Sequence, residues 1–108
     1  MKNKIFPVEL ITLTTTKDAL DQIVEEKRTS ASIYAEISSV SQTEFFSAGR
    51  LGLQPSFKAT IYDFEYSGET ILKLNNKLYS IYRTYAVNGT DKLELYLEER
   101  SGTKDEPN

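Results

Sequence analysis

The chain of 108 residues has no cysteine and no histidine. Without cysteine there is no disulfide framework and no thiolate nucleophile. Without histidine the commonest general base and the usual nitrogen ligand of zinc are both missing. Nucleophile triads built on histidine are therefore excluded. No run of about eighteen apolar residues is present to span a membrane as a helix. Ile5-Phe6-Pro7, behind the basic start Met1-Lys2-Asn3-Lys4, is too short for the apolar part of a signal peptide. A reducing, soluble compartment and no membrane contact are expected. Basic clustering is also lacking: 13 Lys and Arg face 16 Asp and Glu, for a net charge of −3 and a pI near 5.0. The two signs are interleaved along the chain, unlike the massed cations of a dedicated DNA grip.

What the sequence does have is tyrosine and phenylalanine, seven and five, without tryptophan. Most of them fall in alternating segments. Met1 to Val8, with Pro7, reads as a lead-in, and Glu9 to Thr16 as a first, β-branched strand. Lys17 to Arg28 fits two patterns. Asp18 could cap a helix carrying Leu20, Ile23 and Val24, or a turn at Lys17 to Asp21 could feed a long strand ending near Ser39. Phe57 to Tyr62 alternates apolar and polar, and Asp63-Phe64-Glu65-Tyr66 extends that alternation, with Phe64 and Tyr66 on the Tyr62 face. Asn75-Asn76 and Asn88-Gly89 are hairpin turns between Thr70–Leu74, Lys77–Tyr85 and Lys92–Glu99. In the last strand Leu93, Leu95 and Leu97 face one way, and Glu94, Tyr96 and Glu98 the other. Six short strands spaced by about ten residues predict an all-β fold, a small open antiparallel barrel with one short helix and a long inter-strand loop. Residues 1–100 make one domain. Ser101 to Asn108 has no apolar anchor and reads as a frayed tail.

The one helical stretch is Ser41-Gln-Thr-Glu-Phe-Phe-Ser-Ala-Gly-Arg-Leu-Gly-Leu-Gln-Pro-Ser-Phe57. Ser41 and Glu44 form a capping box, in which the hydroxyl accepts an early helix amide and the carboxylate reaches back to the cap. Gly52 and Pro55 supply the stop. Phe45, Ala48, Gly49 and Gly52 share a face, with Phe46 and Leu51 on others. A helix apolar on several sides needs cover on several sides. Either it plugs the end of the barrel or a second protein supplies part of that cover.

No catalytic constellation emerges. Glu25-Glu26 and Glu98-Glu99 are neighbours whose side chains diverge on a strand. Asp63, Glu65 and Glu69 lack the loop that holds a hard cation, and no glycine pattern matches a phosphate loop. Tyr79 and Tyr85 share strand parity while Tyr82 points away, so the three do not make one base-stacking platform. No enzyme, metal or cofactor is expected.

The order of the pieces carries a resemblance. Ile33-Tyr34-Ala35-Glu36-Ile37 leads to Ser41-Gln42-Thr43-Glu44-Phe45-Phe46-Ser47-Ala48. Phe57 to Tyr62, Asp63-Phe64-Glu65-Tyr66 and Tyr79-Ser80-Ile81-Tyr82-Arg83-Thr84-Tyr85 follow. This resembles the head-completion or stopper proteins that join heads to tails in long-tailed bacteriophages and prophages. The resemblance covers about Ile11 to Glu99. It implies a structural virion protein, made in the bacterial cytoplasm and placed at the head–tail neck. Such a protein forms a homo-oligomeric ring, a dodecamer or else a hexamer, from a chain that can be monomeric when free. The implied partners are the portal-adaptor ring proteins, the tail-completion protein and the double-stranded DNA that passes through. The implied channel-closing and partner-binding segment lies within Val40 to Ser56, through Ser41, Glu44, Phe45, Phe46, Ala48, Gly49, Arg50, Leu51 and Leu53. Tyr34, Tyr62, Tyr66, Arg83 and Tyr85 are candidate interface residues. Two alternatives stand beside this: the neighbouring tail-completion protein, and a barrel that binds single-stranded nucleic acid.

Overall fold

The computed structural model describes residues 4–100, so the expected tail at 101–108 lies outside the described residues. The elements in order are β1 (Lys4–Lys17), β2 (Ile23–Ser38), α1 (Gln42–Gly49), β3 (Pro55–Tyr62), a 3-10 turn (Asp63–Glu65), β4 (Ile71–Leu74), β5 (Lys77–Ala86) and β6 (Lys92–Glu99). All pairings are antiparallel, and the strand order β1-β2-β3-β6-β5-β4 returns to β1. The small all-β barrel expected from the strand spacing is present. Two of its seams are short. Glu9–Ile11 meets Ile71–Lys73, and Glu36–Ser38 meets Lys58–Thr60.

Strand alternation builds the core. Val8 and Leu10 of β1, Ala35 and Ile37 of β2, Ala59 and Ile61 of β3, and Leu95 and Leu97 of β6 all point inward. Leu72, Leu74 and Tyr79 close the remaining wall. At the Asn75-Asn76 hairpin both residues have positive φ, 53° and 66°, the pairing of a type I′ turn. Gly89, at φ 78°, does the same work between β5 and β6.

The ambiguous segment is a turn followed by strand. Asp18 Oδ1 accepts from the backbone amides of Leu20 and Gln22, both at 2.9 Å, so this carboxylate shapes a turn instead of capping a helix. β1 and β2 then pair from Lys17↔Ile23 to Lys4↔Ile37, with one register shift between Ile11 and Leu10. Three sequence expectations need correction. The lead-in Lys4 to Val8 is strand, and Pro7 is tolerated because β1 has no second neighbour there. Asp63 to Tyr66 leaves the alternation: Glu65 Oε1 accepts from the Tyr62 amide at 2.9 Å and folds the chain into a 3-10 turn. Finally, the register of β5 against β6 shifts between Ile81 and Arg83. The bulge at Tyr82 reverses parity, so Tyr79 faces the core while Arg83 and Tyr85 pair with the outward residues Tyr96 and Glu94.

The hairpin β1–β2 continues past the barrel. Every residue from Thr14 to Ser30 is exposed, and this arm draws the molecule out to 50 × 30 × 24 Å.

Candidate partner-binding site

The helix begins as the sequence prescribes. Ser41 Oγ accepts from the Glu44 amide at 3.0 Å. Its end is set by Gly52, at φ 84°. The amide of Leu53 reaches the Ala48 carbonyl at 3.1 Å and that of Gly52 the Gly49 carbonyl at 3.0 Å, the two bonds of a Schellman stop. The returning half of the expected capping box is not made. Glu44 turns away from its own helix and crosses to β5. There its Oε1 accepts from Arg83 Nη2 at 2.5 Å and its Oε2 from the Tyr82 hydroxyl at 2.8 Å.

This contact fixes which side of α1 meets the barrel. Glu44, Ser47, Ala48 and Leu51, spaced i, i+3, i+4 and i+7, line a cleft of 230 Å³ with Leu53, Tyr82 and Arg83. The face Phe45, Ala48, Gly49, Gly52 expected to lie together is thus not the seated one. Only Ala48 of the helix is buried. Phe45 and Phe46 meet edge to face at 6.0 Å and remain 47% and 58% exposed, and Leu51 is 78% exposed. Gly49 and Arg50 are exposed as well. The helix therefore lies on the outer wall formed by β3, β6 and β5.

Under it sits a polar and aromatic layer. The Arg83 guanidinium lies 4.2 Å from the centre of the Tyr96 ring, and Tyr82 tilts against the same ring at 6.3 Å. Tyr96 donates to Glu94 Oε1 at 2.7 Å, and Lys58 Nζ reaches Glu94 Oε2 at 3.4 Å. Burial acts to raise the Glu44 pKa, but the hydrogen bonds from Arg83 and Tyr82 outweigh it and hold the carboxyl below its ordinary 4.5. The same bond raises Arg83. Burial, reinforced by Glu44, pushes the Tyr82 phenol well above its usual value. Burial and the Glu94 carboxylate lift Tyr96 to about 12. At neutral pH the layer holds two ionic pairs, Arg83–Glu44 and Lys58–Glu94, beside the protonated phenols of Tyr82 and Tyr96. It is well suited to anchoring a helix.

The other candidate residues divide. Tyr34, 70% exposed, and Tyr62, 43% exposed, line one groove beside the short β2–β3 seam, with Ile5 and Lys92. Tyr62 also stacks on the exposed Phe64 at 5.5 Å and 9°, with Lys92 Nζ 5.6 Å from its ring centre. Tyr66 instead packs against the core and donates to the Glu69 carbonyl at 2.6 Å, which leaves it little to offer a partner. Arg83 is held by Glu44, and Tyr85 is 45% exposed at the end of β5. Glu65 and Glu69 each direct a carboxylate oxygen to a backbone amide, Tyr62 and Ser67. Among the described residues no group of three or more acidic side chains could hold a metal ion, and no helix is long and apolar enough to cross a membrane. A cavity of 500 Å³ at the barrel mouth is lined by Phe6, Ile37, Phe57, Leu74 and Tyr79.

Sequence reasoning missed Tyr82 and Tyr96 as supports of the helix. It also missed the bare apolar tip of the arm, where Leu20 is 76% and Ile23 72% exposed. The strand parity of Tyr96 was visible, but nothing in the sequence marks the bulge that brings Tyr82 beside it.

No family model matches this chain, and no curated protein does. Among solved structures it is similar to the solution structure of protein SF1141 from Shigella flexneri 2a. The TM-score is 0.68 at 17% sequence identity, over 93% of this chain and 95% of that one. At that identity the likeness speaks for the fold alone.

Proposed function

We propose that this chain is a structural connector of the phage or prophage head–tail neck. In this reading it assembles as a ring below the portal and its adaptor, helps to retain packaged DNA and offers the tail its docking surface. The observation that supports it most is the helix α1. Its seat on the barrel is secured by Glu44, Tyr82 and Arg83, while Phe45 and Phe46 lie outside the cleft that forms this seat and stay largely uncovered. An apolar cluster held rigidly outward suits burial by a neighbour. Gly49 and Gly52 next to it would let the following loop adjust on docking. A net charge of −3 suits a channel through which DNA must slide without being gripped.

The test uses DNA-filled, tailless phage heads that carry portal and adaptor rings. The purified chain should bind them as a ring and slow the loss of DNA. Absence of binding at large excess would overturn the proposal.

A second reading has one observation in its favour. The stacked, exposed pair Tyr62 and Phe64 with Lys92 alongside resembles the aromatic and cationic elements on which single-stranded bases stack. Salt-dependent binding of an oligonucleotide, lost in Phe64→Ala, would favour that reading over the connector.

A further inference from the structure

The arm formed by Thr12–Lys17 and Ile23–Ser30 is a two-stranded ribbon with water on both faces. Such ribbons are marginally stable by themselves. Its outer edges are also unpaired. β1 has β4 as a second neighbour only across Glu9–Ile11, and β2 has β3 only across Glu36–Ser38. Two rows of backbone donors and acceptors therefore stand without strand partners, the arrangement that recruits further strands.

The two edges differ chemically. Along β1, Leu13 to Thr16 is uncharged up to Lys17, and Thr14-Thr15-Thr16 is β-branched. Along β2, Glu25-Glu26-Lys27-Arg28 is a charged block. Charges guard edges against uncontrolled pairing, so the β1 edge is the unguarded one.

We propose that the arm is completed by the arm of a second copy of this chain, the β1 edge of one lying antiparallel to the β2 edge of the next. This deepens the ring reading above and rests on it. The register follows from faces and charges. Within one arm Lys17 pairs with Ile23 and Thr15 with Glu25, so Lys17 and Glu25 share a face; Thr16 and Glu26 share the other by the same logic. Extending the sheet with its faces aligned, one copy's Lys17 can oppose the next copy's Glu25. Thr16, Thr15 and Thr14 then oppose Glu26, Lys27 and Arg28. Every charge meets an opposite or a neutral partner, which is the favourable sense of cross-strand pairing. Two β2 edges meeting about a twofold axis are less suited. The axis sets one residue against its own copy, and centring on Glu25 to Arg28 places like charges face to face. A β1-to-β2 contact is head to tail, so it propagates around a ring instead of stopping at a dimer.

The absence of cysteine makes the test clean. Thr16→Cys protein is mixed with Glu26→Cys protein at high concentration, alone and on portal–adaptor heads, and oxidised mildly. Both positions are exposed, and keeping them on separate chains prevents a bond within one arm. Disulfide-linked dimers that join one chain of each variant should exceed either like dimer several-fold. They should also exceed the mixed product of a control that pairs Thr16→Cys with Lys58→Cys. Like dimers in equal amount, or no product above the control in either setting, would overturn the proposal. Binding of the chain to the heads without the cross-link sinks the arm pairing and leaves the connector standing. The cross-link in a protein that never binds the heads does the reverse.

Discussion

Along the β1–β2 hairpin, Lys4–Leu10 and Ala31–Ile37 close the barrel, whereas Thr14–Lys17 and Ile23–Ser30 stand in solvent. The backbone ladder is continuous across both halves apart from one shift next to Leu10 and Ile11. What changes is the side chains. In the barrel half Val8, Leu10 and Ala35 are buried; in the arm the same face continues through Thr12, Thr14 and Thr16 opposite Arg28, Glu26 and Val24. Hydrogen-bonded pairing without apolar burial contributes little net stability, because water competes for the same groups. The barrel half is therefore fold, and the arm half is exposed surface.

The largest expected effect tests this contrast directly. Leu10→Ala removes a fully buried side chain and should cost about 2–5 kcal/mol in urea unfolding. Ile23→Ala, an aliphatic truncation on the same hairpin, should stay within about 0.5 kcal/mol. A comparable loss at Ile23 would mean that the arm is part of the cooperative fold of the free chain, and the comparison would fail.

The helix seat lies between these extremes, held by charge and hydrogen bonds instead of apolar area. Glu44→Gln should cost about 1 kcal/mol: charged hydrogen bonds are worth more than neutral ones, but Arg83 is 43% exposed and water screens it. The sign with pH follows from the lowered Glu44 pKa. The folded state holds that carboxylate unprotonated more readily than the unfolded chain does. Its contribution is thus complete above the ordinary 4.5 and disappears as pH falls through the lower folded value. Acid melting curves of the wild type should lose this increment below that value, and those of Glu44→Gln should lack the step.

The alkaline limb has the opposite origin. Tyr96 keeps its proton to about 12 in the fold, against 10 for an ordinary phenol. Its stabilising contribution is full below pH 10 and is lost as pH rises toward 12. Tyrosinate absorbance should show Tyr96 ionising late, together with loosening of the wall under α1. Replacing it by Phe should remove that late phase; ionisation of all seven tyrosines near pH 10 would contradict the buried layer.

Much of this frame was legible. Asn75-Asn76 and Gly89 specify their turns because few other residues accept positive φ, and Lys92 to Glu99 announces a half-buried strand by strict alternation. Ser41 and Gly52 mark both ends of the helix by local hydrogen bonding. What escaped depends on distant groups. Glu44 is placed as a capping residue by its neighbours in sequence, but Arg83 and Tyr82, far along the chain, offer it a charged and a phenolic donor together. The bulge at Tyr82 is likewise a compromise between two strands and has no signature in one. Pro7 argued against a strand at Lys4 to Val8, and only the tertiary fact of an unpaired edge made it acceptable. The nature of the arm was hidden for a related reason. Glu25 to Arg28 can be surface of a helix or of a strand, and only the absence of a third strand shows how bare it is.

A small effect on the free chain is also expected at Phe46, and it separates the helix's two roles most sharply. Phe46 is 58% exposed, and its described ring contact is the edge-to-face one with Phe45. Phe46→Ala should therefore cost the free protein no more than about 1 kcal/mol, the scale of one aromatic pair. Buried phenylalanines truncated to alanine cost about 3–5 kcal/mol. If the Phe45–Phe46 cluster is what a neighbour covers, the same change should abolish attachment to portal–adaptor heads while thermal melting hardly moves. A large loss of stability with attachment intact would return α1 to the role of a barrel cover. Loss of neither would move the docking surface to another part of the molecule, with the arm the first place to look, since Leu20 and Ile23 at its tip are 76% and 72% exposed.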